Sequence, residues 1–166
     1  MIWAIVATGQ SINFEDVDYL KGKVSVAAVS DAFKIAPWAD CLVSHDAKWW
    51  AHHRDALDFA GRKFCRQFVT GTERFIPDIP NGCNSGRMAM DVVKKLGNAK
   101  KVILIGFDMH GTHYFGPHQG DLRNTDERRF KHHLGQFSSF TGCEVINCTP
   151  DSALTVFPTA NLRDII

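Results

Sequence analysis

The sequence predicts a single α/β domain built on a Rossmann-like, doubly wound and mostly parallel sheet. Short continuous apolar runs recur along the chain, and amphipathic helical patterns separate them. The length of 166 residues fits one domain of roughly 150 residues, and no repeat or linker divides it. An uninterrupted apolar run indicates a strand buried on both faces, and strands that alternate with helices form parallel βαβ units.

The predicted strands follow the apolar runs and stop where glycine or polar residues begin. The first, at residues 2–7, reads IWAIVA and ends at the turn Thr8-Gly9-Gln10-Ser11. Further runs predict the other strands at residues 24–29, 41–43, 63–68, 101–105 and 144–147.

The clearest helix is predicted at residues 85–96. Four apolar residues are spaced so that they fall on one face: Met88, Val92, Val93 and Leu96. Gly97 follows them as a typical C-cap. Two more helical patterns cover residues 46–59 and 125–137. Because each pattern lies between predicted strands, we expect these helices to cover the faces of the sheet.

The charge balance excludes a large basic surface. Lys and Arg number 19 against 18 Asp and Glu, a net charge of +1, so the chain lacks the field that non-specific binding to nucleic acid or to an anionic membrane requires. The one local basic cluster is interleaved with acidic residues, which favours a solvated helix face over a nucleic-acid interface. Its members are Arg123, Arg128, Arg129 and Lys131.

Cysteine usage and hydropathy predict a cytoplasmic protein. The five cysteines are scattered and form no CxxC pair, which is typical of reduced thiols. The opening segment lacks the basic start and cleavage site of a signal peptide, and no apolar stretch reaches about 18 residues. We therefore expect no membrane span. Exposed aromatic side chains are typical of an interface between copies of a chain, so a homo-oligomer is one expectation.

Candidate ligand-binding residues follow the predicted strands. In a doubly wound sheet, ligands bind beyond the carboxyl ends of the strands. Gly9, Gln10 and Ser11 follow the first strand, Asp31 follows the second, and His45 and Asp46 follow the third. A glycine at such a turn lets a ligand approach the backbone. Asp46 has an alternative role as the N-cap of the helix predicted at residues 46–59.

A glycine-rich run, Asn81-Gly82-Cys83-Asn84-Ser85-Gly86, leads into the helix predicted at residues 85–96. The first N–H groups of a helix have no intrahelical acceptor, and next to a hydroxyl group and a glycine they suit a phosphate. The run therefore predicts a phosphate site that uses Asn84, Ser85 and Gly86. The alternative is that Asn84 or Ser85 only caps the helix.

The segment from Gly106 to His118 carries the densest set of polar side chains. Asp108 ends a buried strand, where α/β proteins place catalytic or ligand-reading carboxylates. His110, His113 and His118 lie within nine residues, but their spacing matches no zinc motif, so we predict no metal site from them. An imidazole in this segment can act as a general base or, as a cation, bind phosphate.

Taken together, these segments resemble the superfamily that holds the Campylobacter-type bacterial sialyltransferases and the archaeal hydroxymethylpterin diphosphokinase-like proteins (formerly DUF115). Small phage proteins carry the same pattern. Residues 8–11 resemble its nucleotide loop, and Asn84-Ser85-Gly86 resembles the start of its Thr-Ser-Gly helix. Four more segments resemble its LGxxxIxLxGxDF motif, its HYxGH motif, its NTD motif and its terminal strand: residues 96–108, 113–118, 124–126 and 145–154.

The resemblance implies one nucleotide-binding domain over residues 1–166 and a transferase that moves a glycosyl or a diphosphate group. His118 falls on the family's proposed general base, and His113 and Tyr114 belong to the same motif. Gly9 and Ser11 would meet the phosphates or sugar of the nucleotide, and the residues after the second and third strands would lie near its sugar and base.

Two further expectations follow from the resemblance. If the diphosphate reaction applies, Mg²⁺ would accompany the nucleotide, held with the help of Asp108 or Asp31. Only nine residues separate Asp108 from His118, so the long lid of the sialyltransferases is missing. A second hypothesis is therefore a phage-type protein that binds or sequesters a nucleotide in the host cytoplasm without turnover.

Overall fold

The fold is a seven-stranded parallel sheet covered by helices on both faces. The computed structural model describes residues 1–79 and 83–166. The strands are β1 (Ile2–Val6), β2 (Ser25–Val29), β3 (Cys41–Val43), β4 (Arg62–Cys65), β5 (Glu73–Arg74), β6 (Lys101–Ile105) and β7 (Glu144–Asn147). The α-helices are α1 (Phe14–Leu20), α2 (Ala47–His52), α3 (Ser85–Lys95) and α4 (Glu127–Phe137), and short 3-10 turns lie between some of them. The predicted α/β class is confirmed.

The strand order is β5-β4-β3-β2-β1-β6-β7, and every neighbouring pair is parallel. From β1 the chain adds strands outward to β5 and then returns past β1 to place β6 on the other side. Val6 therefore lies opposite both Ala28 and Ile105 at the carboxyl ends of the central strands. The strand order reverses between β1 and β6, which is the topological switch point at which doubly wound proteins bind ligands.

Two apolar cores hold the layers together. On one face of the sheet, α3 and α4 pack through residues that include Met88, Val92 and Phe137. On the other face, α1, α2 and the C-terminal segment pack through residues that include Leu20 and Trp50. β1, β2 and β6 each bury their last four residues, as expected for strands covered on both faces.

The predicted stripe of the third helix is confirmed except at its end. Met88, Val92 and Val93 are buried, whereas Leu96 is 45% exposed because it follows the last helical residue as the C-cap. Gly97 is needed for close approach and not for a left-handed cap, since a Cβ there would lie 2.6 Å from the Trp3 indole. Trp3 also donates from Nε1 to the Gly97 carbonyl at 2.9 Å.

The helix predicted at residues 46–59 is wrong in its length. It is divided into α2 and a 3-10 turn at Arg54–Asp58, because His53 leaves the helical conformation with φ −117° and ψ 64°. The helix predicted at residues 125–137 begins at Glu127, because the Asp126 side chain caps it by accepting from the Arg129 N–H. The longest α-helices of the described residues, α3 and α4, have 11 residues each, about half the length that crosses a bilayer.

Candidate functional site

A cleft of about 1270 Å³ lies at the carboxyl edge of the sheet. Its wall is formed by the residues that follow β1, β2, β3 and β6 and by the starts of α3 and α4. All but three of the predicted site residues line it: Gly9, Asp31, His45, Asp46, Asn84, Ser85, Gly86, Asp108, His113 and His118. The shared edge of the parallel strands explains this convergence of segments that are far apart in sequence.

The ends of β1 and β6 are joined by a carboxylate. Asp108 accepts hydrogen bonds from the Ser11 N–H at 2.8 Å and from the Ser11 hydroxyl at 2.6 Å. Gly9 packs against the same group: a Cβ at this position would lie 2.2 Å from Asp108 Oδ1 and 2.6 Å from the Gly106 carbonyl. The absence of a side chain at Gly9 therefore serves internal packing at the switch point.

His113 ties the loop after β6 to the loop after β1. Thr8 Oγ1 lies 2.7 Å from His113 Nδ1, and Gly9 and His113 form an antiparallel bridge. The His113 ring stacks on Phe115 with an interplanar angle of 2°. Burial, with a smaller effect from His118, lowers the pKa of His113 to about 4, so its imidazole is neutral at pH 7.

Three predicted residues lie outside the cleft lining. Ser11 donates its hydroxyl hydrogen to the Asp108 carboxylate, and the Gln10 side-chain oxygen lies 3.5 Å from the Thr112 N–H. Tyr114 directs its hydroxyl toward the Asp31 carbonyl at 3.5 Å. These contacts join the loops that surround the cleft, so these residues support its walls, and their predicted ligand contacts stay a prediction.

His118 presents a neutral imidazole to the cleft. Its ring centroid lies 4.5 Å from that of His113 and 5.4 Å from that of Phe115. Asn124 holds its main chain, accepting from the His118 N–H at 2.6 Å and donating to its carbonyl at 3.2 Å. Burial lowers the pKa of His118. Across residues 1–79 and 83–166, neither ring nitrogen has a hydrogen-bond partner.

Asp31 is 2% exposed and is surrounded by donors. It accepts from Lys34 Nζ at 2.7 Å and from Trp49 Nε1 at 2.8 Å, and His53 Nε2 lies 3.0 Å from its Oδ1. Burial alone would raise the pKa of Asp31, but these partners bring it below the ordinary value. The His53 ring also stacks on Trp49, with the ring centroids 4.3 Å apart.

His45 connects the end of β3 to the start of α3. Ser85 Oγ accepts from the His45 N–H at 3.0 Å and lies 3.1 Å from His45 Nδ1. Burial lowers the pKa of His45, so the Ser85 hydroxyl can donate to a neutral ring nitrogen. Asp46 accepts from the Lys48 N–H at 2.8 Å and caps α2, which confirms the alternative role of that residue.

The start of α3 leaves donors for an anion. Asn84 Oδ1 accepts from the Arg87 N–H and caps the helix, while Asn84 Nδ2 is buried and has no hydrogen-bond partner among residues 1–79 and 83–166. The N–H groups of Ser85 and Gly86 have no acceptor within the helix, and both residues line the cleft. The missing side chain of Gly86 makes room for Phe107, whose ring would lie 2.7 Å from a Cβ. Asn81 and Gly82 of the predicted run lie outside the described residues.

The start of α4 also lines the cleft, whereas the sequence predicted that this helix face contacts solvent. Arg123, Arg128 and Arg129 line it, together with His132 and the half-buried His133. Burial lowers the pKa of His133 to about 4, and the charges of His132, Arg129 and His45 act in the same direction. One signal was present in the sequence: a helix that follows a parallel strand begins at the carboxyl edge of the sheet.

The carboxylates expected to hold Mg²⁺ do not fit a magnesium site. Both oxygens of Asp108 accept hydrogen bonds from Ser11, and the Asp31 carboxylate is enclosed by donors that include the Lys34 ammonium group, which repels a divalent cation. Over the described ranges 1–79 and 83–166, no group of three or more potential metal ligands comes together.

Neither a protein-family model, nor a curated protein, nor a solved structure matches this chain. The resemblance to the sialyltransferase and diphosphokinase superfamily therefore stays a prediction from the sequence. The fold and the cleft stand independently of it.

Proposed function

We propose that this chain binds a nucleotide or nucleotide sugar in the cleft and transfers a group from it to an acceptor hydroxyl. The observation that carries the proposal is that one cleft holds both a helix start suited to phosphate and the neutral, unpartnered imidazole of His118. The first suits an anionic donor, and the second suits a general base. The cleft volume of about 1270 Å³ is large enough for a donor and an acceptor together.

The phosphate of the donor is assigned to the start of α3. Free N–H groups and the positive end of the helix dipole favour an anion at Ser85 and Gly86. Asn84 Nδ2 supports this assignment, because a buried donor without a partner costs free energy that a phosphate oxygen would recover. Ser85 adds a hydroxyl group at the same end of the helix.

In the transfer step, His118 takes the proton of the acceptor hydroxyl as the acceptor oxygen bonds to the transferred group. The bond between that group and the nucleotide phosphate oxygen breaks, and the phosphate leaves with the electron pair. The donors at the start of α3 would stabilise the charge that develops on this leaving group. The lowered pKa of His118 keeps the imidazole in its proton-accepting form at pH 7.

Calorimetry with CMP, CDP, ATP and GTP tests the binding part of the proposal. We expect at least one of them to bind with a Kd below 1 mM. Asn84→Asp should weaken the binding of that nucleotide at least tenfold. Aspartate caps a helix as well as asparagine does, but it removes the free donor and adds a negative charge. The matched control is Asn13→Asp, which changes the cap of α1 outside the cleft. Absence of binding by all four nucleotides contradicts the proposal.

The transfer part is tested with the nucleotide that binds and with its sugar-linked form. His118→Gln should lower the rate of product formation at least a hundredfold while changing the nucleotide affinity less than threefold. Product is measured by mass spectrometry.

A binding protein without turnover is the second candidate function. It is favoured by the contacts of Asp108, the other predicted catalytic residue, whose two oxygens are both engaged by Ser11. Under this alternative, the nucleotide returns intact after long incubation, and His118→Gln changes affinity alone. Detection of a transferred group on any acceptor rules it out.

A further inference from the structure

Three arginines of the cleft have guanidinium groups without a partner among the described residues. Arg123 precedes α4, and Arg128 and Arg129 belong to its first turn, and all three line the cleft. None of their guanidinium groups forms an ion pair or a side-chain hydrogen bond with any residue in 1–79 or 83–166. Arg129 is also half-buried.

The carboxylates that line the same cleft form no ion pair with these arginines. Each already has a partner: Lys34 and His53 for Asp31, the Lys48 N–H for Asp46, Ser11 for Asp108, Lys48 and His52 for Asp121, and the Arg129 N–H for Asp126. None of the three arginines forms an ion pair with these carboxylates, so on this wall of the cleft the guanidinium groups are open to an anionic ligand. A guanidinium group pairs best with a phosphate or carboxylate group, through two parallel hydrogen bonds.

The wall with the arginines is connected to the proposed base. Asn124, which follows Arg123 in the chain, holds the His118 main chain through two hydrogen bonds. The donor end of the cleft is built on a different helix, α3. An anionic group bound by the arginines would thus lie on the side of the cleft that carries His118, where an acceptor hydroxyl must be placed.

We propose that Arg123, Arg128 and Arg129 form a second anion subsite that holds the phosphate or carboxylate group of an acidic acceptor. The inference rests on the proposed function, because the term acceptor has a meaning only for a transferase. The second phosphate of a nucleoside diphosphate has the same chemistry, so the experiment must separate these two sources.

The probe is inorganic phosphate, titrated into the full chain by calorimetry at low ionic strength. We expect two sites in the wild-type protein, of which the triple variant Arg123→Gln/Arg128→Gln/Arg129→Gln loses one, with at least a tenfold loss of affinity. The matched control, Arg54→Gln/Lys100→Gln/Lys131→Gln, removes the same charge from exposed positions outside the cleft and should keep both sites. Asn84→Asp should lose only the site at α3.

Unchanged phosphate binding by the arginine variant, or an equal loss in the control variant, overturns the subsite. Saturation with CMP and then with CDP identifies the source of the anion. If the acceptor occupies the arginines, both nucleotides leave one phosphate site open; if CDP closes both sites, the acceptor assignment is wrong. Should none of CMP, CDP, ATP and GTP bind while the arginine variant still loses one phosphate site, the proposed function fails and the anion subsite stands.

Discussion

Asp108 and Ser11, 97 residues apart in the sequence, are joined by two hydrogen bonds of 2.6 and 2.8 Å. These bonds fasten the end of β6 to the loop that follows β1, at the point where the strand order reverses. The cleft is therefore shaped by an internal carboxylate, and small changes in the space around that carboxylate should distort the site.

Gly9→Ala should destabilise the protein by about 1–3 kcal/mol, since overpacking of a closed site costs this much. Its Cβ would lie 2.2 Å from Asp108 Oδ1, and neither that carboxylate nor the Gly106 carbonyl is free to move away. Urea unfolding measures the effect. The matched control is Gly135→Ala on α4, where nothing lies within 4 Å and where alanine should stabilise the helix by about 0.5–1 kcal/mol. Equal stability of the two variants contradicts this account.

Most strand positions could be predicted from the sequence because parallel strands buried on both faces appear as continuous apolar runs. β5 was missed, since Glu73 and Arg74 are exposed on the sheet edge and carry no apolar signal. α1 was missed because Val17 and Leu20 are its only buried residues, too few for a periodic pattern. The strand predicted at residues 63–68 ends instead at Cys65.

The ion pair between Arg87 and Asp91 should be the most sensitive polar contact of the core. The two side chains are 1% and 0% exposed, and Nη1 lies 2.5 Å from Oδ1. Asp91→Asn leaves the arginine charge buried without its partner and should cost about 3–5 kcal/mol in urea unfolding. Asp55→Asn, at an exposed position, is the control and should change stability by less than about 0.5 kcal/mol. A loss below about 1 kcal/mol for Asp91→Asn would show that the pair is not isolated from water.

Stability should decrease between pH 6.5 and pH 4. Burial lowers the pKa of His113 and of His133 from the ordinary 6.5 to about 4. In this window the unfolded chain binds protons that the folded chain does not, so the free energy of unfolding falls as the pH falls. His113 contributes up to roughly 3 kcal/mol. His133 contributes less, because solvent screens a more exposed group. His113→Gln and His133→Gln should each flatten the pH dependence in urea titrations. Parallel pH profiles for the wild type and both variants would contradict the assignment.

Two neutralising variants should move the pKa of His118 in opposite directions. Burial has the largest effect on the pKa of His118 and lowers it. The negative charge of Asp31 raises this pKa, and the positive charge of Lys34 lowers it. Asp31→Asn should therefore lower the pKa of His118 further, and Lys34→Gln should raise it. Proton–carbon NMR of the imidazole measures both. A shift of the same sign in the two variants would mean that conformation, and not charge, controls this histidine.

The candidate site was predictable where it depends on topology and not where it depends on side-chain pairing. The carboxyl ends of parallel strands share one edge, so Asp31, His45 and Asp108 were expected near one another. The engagement of Asp108 by Ser11 is a long-range contact for which the sequence carries no local signal. The arginines of α4 were assigned to solvent because a charge-mixed helix face has the same pattern whether it borders water or a polar cleft.

The central position of β1 has a consequence for the synthesis of the protein. β1 needs β2 on one side and β6 on the other, and β6 begins only at Lys101. At translation rates of about 5–20 residues per second, an apolar strand edge near the N-terminus waits on the order of 5–20 s for its second neighbour. Unpaired edges of this kind recruit other chains, so aggregation of the nascent polypeptide should begin at the strand that is most protected in the finished fold.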